Sequence, residues 1–427
     1  MPPAPLPRSL YAETATPAIE APPLYGEKQV PVAIIGGGFT GLSTALHLAE
    51  RGIVATVIEA NEPGWGASGR NGGQVNPGLK PDPDEVEHDH GAEMGGRMIA
   101  FSYGAPDLVF DLIRRHGIDC AASQTGTLRA GIRASNAQAA ENLFAQCSRR
   151  GMPVRYLDAA ACAEATGTTR YAGALLDPRG GHLNPLSYAR GLARTAQRLG
   201  ASIHGATPAL SLTRHAARWR ISTPKGSLIA ERVVIGTNGY TDGLWPRLRQ
   251  TVVPVFSTIL ATEPLPEEVQ RQILPLRSAV YETGHITVYY RLDDAGRLLM
   301  GGRGPQNPAD GPSMAPYLRD YAERLWPVLK GYGWTHGWNG QVAVTKDHYP
   351  HLHAPEPGLL MSLGYNGRGV AMATAMGSLL ARHIAGEPLD SLPMPLSPIR
   401  PMPFHRFWKI GVTVAVAQRR LRDRFGL

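Results

Sequence analysis

The chain has 427 residues, of which 43% are hydrophobic and 18% charged, with a formal net charge of +8. That supports a large core, and a single core rarely grows so big, so two intimately linked domains are expected. The basic residues are scattered apart from "RRLRDR" near the C-terminus, with no basic stripe interleaved with aromatics, which argues against nucleic acid and leaves acidic small molecules or a membrane surface as partners.

The first residues, "MPPAPLPRSLYAETATPAIEAPPLYGEKQ", are rich in Pro and Ala and lack the apolar centre of a signal peptide. Residues 1–28 are expected to form a flexible or surface-draped arm. Val32 to Ile35 then reads as a buried parallel strand. It runs into Gly36-Gly37-Gly38-Phe39-Thr40-Gly41, a G-x-G-x-x-G pattern. Leu42, Ala45, Leu46 and Ala49 follow at helical spacing, and Gly52 ends the helix. A second strand, Ala55 to Ile58, closes on Glu59, about 20 residues beyond the glycines, as a βαβ dinucleotide unit requires. In that unit Gly36 permits the tight turn, Gly38 lets the backbone approach a pyrophosphate, and Gly41 lets the helix pack on the sheet. The helix N-terminus offers free N–H groups to phosphate. Glu59 would accept hydrogen bonds from ribose hydroxyls and repel a 2′-phosphate.

The second strand exits through "NEPGWGASGRNGGQ", where an NAD domain would continue into another helix and strand. Such a loop has little to bury and many N–H groups to donate, so it suits main chain lying against a pyrophosphate and a flat ring. Together, "IIGGGFTGLSTALHLAERG" and "GWGASGRNGGQ" resemble the FAD-dependent D-amino acid oxidase superfamily, most closely its γ-glutamylputrescine oxidoreductase-like branch. Further blocks carry the resemblance along most of the chain: "VVIGTNGYTDGLWP", "YYRLDDAGRLLMGGR", "GWNGQVAVTKDHYPHLH" and "GLLMSLGYNGRGVAMATAMGSLLARHIAGE". It implies an α/β fold: a Rossmann-like FAD domain of the glutathione reductase type with a second, antiparallel α+β substrate domain. The expected FAD domain is discontinuous, 29–80, 145–250 and 331–400. The expected substrate domain is 81–144 and 251–330, and 401–427 forms a basic C-terminal helix.

The resemblance implies FAD contacts by Gly36, Gly38, Phe39, Thr40, Gly41, Glu59 and Ala60. In the first loop it adds Gly66, Ala67, Ser68, Arg70, Asn71, Gly72, Gly73 and Gln74. Ala209, Thr237, Asn238 and Gly239 follow the later FAD-domain strands. The turn Gly364, Tyr365, Asn366, Gly367, Arg368, Gly369 and Val370 heads a helix whose N-terminus would face the flavin carbonyl and favour the reduced, anionic ring.

Amine oxidation of this type needs a neutral amine held over the ring more than a strong base, so clamps and pocket shape dominate. Tyr289, Tyr290 and Arg291 lie on one strand, so either Tyr290 faces the cavity or Tyr289 and Arg291 do. Arg303 could clamp a carboxylate bidentately, Trp338 could wall the pocket, and Lys80 is a further candidate clamp or a solvated lysine. No Cys lies where relatives attach flavin near "GWNGQVAVTKD", and "GRNGGQ" offers no His, so FAD is expected to be non-covalent. "RLLMGG" lacks the Lys that helps oxygen react in sarcosine-oxidase-like relatives, which leaves O2 or another electron acceptor open.

The His clusters in "EVEHDH" (His88, His90) and "HYPHLH" (His348, His351, His353) fit no zinc spacing, so no metal is expected. Three cysteines without a pairing motif suit a reducing, cytoplasmic compartment. "IGVTVAVA", Ile410 to Ala417, is shorter than the roughly 20 residues that span a bilayer. It is expected to be a packed terminal helix, with weak membrane-surface contact through the basic segment as the alternative. The leading expectation is an oxidoreductase of amines or amino acids. A dehydrogenase feeding a membrane quinone and a non-catalytic or tRNA-modifying flavin-binding relative are the rivals.

Overall fold

The computed structural model describes residues 3–283 and 287–414. The first sheet is built around the strand Gly26–Ile35, whose inner half, Val32–Ile35, is buried. It pairs in parallel with Ala55–Ile58 on one side and Gly226–Ile235 on the other. Ser202–His204 and Leu359–Leu363 extend the parallel run, and His351–Glu356 adds an antiparallel edge. Ser211–His215 and Arg218–Ser222 form a meander that feeds antiparallel into Gly226–Ile235.

The helix Phe39–Ala49 packs between Pro185–Arg198 and Gly369–Ile384. The crossing with the latter is close: a Cβ on Gly377 would lie 2.6 Å from Ser43 Cβ, and the Ser43 hydroxyl donates to the Thr374 carbonyl at 2.7 Å. That lets both helices bring their N-termini to the same end of the parallel sheet.

The second sheet runs in the order Trp334–Val344, Val253–Thr262, Leu298–Arg303, Tyr289–Leu292, Ala279–Glu282, Thr127–Gly131, Gly173–Asp177, Arg155–Asp158, and is antiparallel except between Ala279–Glu282 and Thr127–Gly131. Strand alternation gives it two unlike faces. Leu128, Val280, Tyr290, Met300 and Leu260 align across one face and pack on the helix Pro316–Leu325. Arg129, Tyr281, Tyr289, Gly301 and Ile259 align across the other.

This topology moves the expected domain limits. Arg155–Asp158 and Gly173–Asp177, placed by sequence in the FAD domain, hydrogen-bond into the second sheet, as does Trp334–Val344. The long helix Pro83–His116, placed in the substrate domain, contributes Met98, Ile99, Val109 and Phe110 to the core that also holds the Phe39–Ala49 and Gly369–Ile384 helices. Partner choice between strands is non-local, and short apolar runs do not encode it. The N-terminal arm is anchored: Leu10–Thr14 forms a short helix, and Leu10 and Tyr11 are buried against Trp338, Leu186 and Ile259.

Candidate active site

The glycines of the fingerprint have separate physical jobs. Gly36 takes φ +110°, a conformation open to Gly. A Cβ on Gly41 would fall 2.0 Å from the Gly36 carbonyl oxygen, so helix and turn touch only because that side chain is absent. Gly38 caps the helix without a side chain, and the Phe39 N–H donates to the Ser68 hydroxyl at 2.9 Å. Ser68 comes from the Gly-rich loop, so loop and helix N-terminus form one cradle. At the end of the second strand, the Glu59 carboxylate accepts from the Gly37 N–H at 2.7 Å and the Asn61 N–H at 3.0 Å. Burial holds its pKa above the usual carboxylate value.

A cavity of about 1660 Å³ opens between this cradle and the second sheet. Of the expected cofactor residues, Gly36, Gly38, Phe39, Thr40, Glu59 and Ala60 line it, as do Gly66, Ala67, Ser68, Arg70, Asn71, Gly72 and Gln74. Ala209, Thr237 and Asn238 line it, and so does the turn from Tyr365 to Val370. Gly41, Gly73, Gly239 and Gly364 stand behind the lining and shape the backbone. A Cβ on Gly73 would strike the Leu183 carbonyl at 2.2 Å, and Gly364 takes φ +84°.

The strand Tyr289–Leu292 settles into one of the two phases left open by sequence. Tyr289 faces the cavity, its ring lying across Gly301, where a Cβ would be 2.1 Å from it, and its hydroxyl 2.9 Å from that of Ser257. Arg303 also lines the cavity, one strand over and opposite Ser257. Tyr290 does not: it points into the core beneath the sheet, where its hydroxyl meets that of Tyr171. Arg291 shares the phase of Tyr289 but reaches past the cavity. Its Nε donates to the Gly72 carbonyl at 2.9 Å, and its Nη2 to the Leu183 carbonyl at 3.1 Å and the Tyr11 hydroxyl at 3.2 Å. Trp338 is no pocket wall; it is fully buried, and its indole N–H donates to the Arg70 carbonyl at 3.0 Å. Arg291 and Trp338 therefore hold the Gly-rich loop from behind.

The C-terminal turn is fixed by amide side chains. Asn238 Oδ1 accepts from the Gly364 N–H at 2.9 Å, and Asn366 Oδ1 from the Thr345 N–H at 2.9 Å. Tyr365 joins the turn to the fingerprint helix through a 2.6 Å hydroxyl contact with Thr40, and burial pushes its pKa up to about 12. Arg368 is only 9% exposed. Its Nη2 donates to the Tyr281 hydroxyl at 3.0 Å, its guanidinium lies 4.6 Å from that ring's centroid, and its Nη1 is buried with no hydrogen-bond partner among the described residues.

Sequence reasoning did not single out Ser257, Tyr281, Glu282, Tyr317 or Tyr321, all of which line the cavity. They come from three separate segments, and no local motif marks them. Lys80 lines it too. The three cysteines are free, buried and away from the lining. Among the described residues no cluster of potential ligands could hold a metal ion, and no helix is long and apolar enough to cross a membrane.

The FAD-dependent oxidoreductase (DAO) family model matches residues 31–383. The chain belongs to this family. It is 34% identical over 409 residues to a probable oxidoreductase OrdL from Rhizobium meliloti, covering 95% of this chain and 94% of that one. It is 30% identical to the gamma-glutamylputrescine oxidoreductase of Escherichia coli, over 93% of each. A solved glycine oxidase from Geobacillus kaustophilus superposes with a TM-score of 0.72 at 23% identity, covering 86% of this chain and 98% of its own, which supports the fold. The protein is an FAD-dependent oxidoreductase of amines or amino acids.

The residues present fit FAD. Gly36, Gly38 and Ser68 make a cradle that side chains would fill, the Phe39–Ala49 helix presents its N-terminus there, and Glu59 ends the second strand. The tyrosine-bearing sheet then roofs the far end of the same cavity.

Proposed function

We propose that the substrate is an amine that carries a carboxylate: a γ-glutamyl-polyamine, a cyclic secondary amino acid or an N-alkyl amino acid. The observation that carries this reading is Arg368. A buried guanidinium with an unpaired Nη1 is costly to keep unless a ligand completes it. Arg368 combines a main chain in the cofactor turn with a side chain that reaches the roof at Tyr281. That arrangement supports a charge lying where cofactor and substrate meet. Arg303 and Tyr289 face the same space from the roof.

FAD, when bound, supplies an acceptor for the hydride from the carbon beside the amine nitrogen; water then hydrolyses the resulting imine. The protein's own residues hold the carboxylate, fix the carbon over the ring and restrict water. An anaerobic screen of such amines, following loss of flavin absorbance, tests this. Bleaching by carboxylate-bearing amines, with Arg368→Met raising their KM, is the expected result. Equal reduction by amines without a carboxylate would overturn it.

A specific observation favours a membrane quinone over O2 as acceptor. Phe404, Phe407, Ile410 and Val414 are 82%, 47%, 63% and 61% exposed on the C-terminal segment, where residues 408–414 are helical, with Arg406 and Lys409 among them. The "RRLRDR" run lies outside the described residues. An apolar stripe with basic neighbours suits an anionic bilayer surface. Flotation with phosphatidylglycerol vesicles, absent after Ile410→Asp, would support it; peroxide formed at the full turnover rate would count against it. Three free cysteines support a cytoplasmic setting.

A further inference from the structure

The helix Pro316–Leu325 covers the other face of the roof sheet, and from there Tyr317, Tyr321 and Arg324, at i, i+4 and i+7, reach the lining of the cavity. Each has a defined neighbour. The Tyr317 hydroxyl donates to the Arg303 carbonyl at 2.6 Å. The Tyr321 hydroxyl donates to Glu282 Oε1 at 2.7 Å, and the Arg324 guanidinium lies 5.4 Å from the Tyr321 ring centroid. Arg170, from the segment before Gly173–Asp177, hydrogen-bonds Tyr321 and also lines the cavity. The stripe thus begins beside Arg303, meets Arg170 at Tyr321 and ends at Arg324. At about 1.5 Å per residue, the helix rises about 10 Å from Tyr317 to Arg324.

The charge at the far end is one-sided. Arg133, Arg170 and Arg324 are exposed there and line the cavity. Asp320 and Glu323 of the same helix are not part of the lining. Glu59 and Asp242 line the fingerprint side, so Glu282 is the carboxylate at this end among the described residues. Its Oε1 already accepts from the Tyr171 and Tyr321 hydroxyls, both at 2.7 Å, and it is buried. Glu282 also attracts Arg170, so one carboxylate stands against three arginines and the mouth keeps a net positive field. Apolar walls around such a mouth focus that field on an incoming anion.

We infer that Arg170 and Arg324, with Tyr321 between them, form a second anion subsite, which takes an acidic group at the far end of a substrate whose carboxylate is held by Arg368 or Arg303. This rests on the carboxylate reading above and adds to it that the substrate has two acidic ends. Exposed arginines each contribute modestly and are screened by salt, so the subsite sets selectivity and capture rate.

The test is equilibrium binding to the oxidised holoenzyme, read from the shift of the flavin visible spectrum. The probes are butyrate and a ladder of linear dicarboxylates from succinate to suberate. The longer dicarboxylates should bind about tenfold more tightly than butyrate. That ratio should fall toward one in the Arg170→Gln/Arg324→Gln double variant and at high salt. A ratio near one in the unmodified protein, or a high ratio that survives the double substitution, overturns the second subsite while leaving the first carboxylate site standing. Failure of butyrate and every dicarboxylate to shift the spectrum overturns both.

Discussion

Arg291 Nη2 donates to the Tyr11 hydroxyl at 3.2 Å, so a tyrosine from the N-terminal arm completes the guanidinium that grips the Gly-rich loop. The same group holds the Gly72 and Leu183 carbonyls. Tyr11 also packs edge-on against Trp338, ring centroids 4.9 Å apart, and Trp338 holds the Arg70 carbonyl. One arm residue thus braces both supports of the loop that faces the cofactor. Arg291→Met would leave three buried oxygens without their donor. Hydrogen bonds to a charged group are worth about 1.5–3 kcal/mol, so FAD should bind roughly 10- to 100-fold more weakly. Titration of the apoprotein by flavin fluorescence quenching measures this, and an unchanged dissociation constant would refute the bracing role.

The contrast between loop and support explains what the sequence could convey. The βαβ unit was legible because its periodicity, glycines and terminal acid lie within one continuous stretch, Val32 to Glu59. The turn before the Gly369–Ile384 helix was legible for the same reason. The roof was only half legible. Alternation ties Tyr289 to Arg291 and opposes both to Tyr290, but which face meets the cavity depends on the helix Pro316–Leu325 covering the other one. Trp338 shows the same gap: its ring goes where Tyr11 packs, over three hundred residues earlier in the chain. In the Pro- and Ala-rich arm, nothing but the Leu10-Tyr11 pair hints at a buried anchor.

Gly38→Val tests the cradle. Even a Cβ at Gly38 would sit 3.0 Å from Ser68 Oγ, and branching would drive Ser68 off the Phe39 N–H. The phosphate position closes and the loop loses its tie to the helix. The purified variant should be colourless. Full flavin content in its visible spectrum would show that the pyrophosphate does not lie there.

Acid or heat denaturation should release all the flavin into the supernatant, because Cys120, Cys147 and Cys162 are buried away from the cavity. Colour retained in the precipitate would mean a covalent link, and His348, which lines the cavity, would then be the residue to examine.

Glu282 makes stability depend on pH. Burial is the main cause raising its pKa above the ordinary 4.5, against the opposing pull of the Tyr321 and Tyr171 hydroxyls. The folded state therefore holds this proton more tightly than the unfolded chain. Its contribution is fully present below the unfolded value and is lost as pH rises through the raised folded value. Glu282→Gln keeps an oxygen for the phenols but does not ionise. Melting temperatures of the apoproteins across that range should show a shallower decline for the variant. Parallel curves would mean that Glu282 titrates normally. Glu59, raised in the same way, leaves a residual slope in both.

Gly369→Leu separates cofactor chemistry from packing at the C-terminal turn. Gly369 begins the helix at a backbone angle open to other residues, and within 4 Å its Cβ would meet only Tyr365, at 3.9 Å. The fold therefore tolerates a side chain there, unlike at Gly41, where a Cβ would collide with the Gly36 carbonyl at 2.0 Å. The leucine would extend into the cavity that Gly369 lines and hold the ring off the helix N-terminus. Losing one well-placed donor costs about 2.7–4 kcal/mol of transition-state stabilisation, so flavin reduction should slow by a hundredfold or more. The fingerprint from Gly36 to Gly41 is untouched, so the variant should still purify with flavin. Stopped-flow reduction under anaerobic conditions reads the rate, and the visible spectrum reads occupancy. An unchanged rate at full occupancy would show that the turn packs the helix and does not act on the ring.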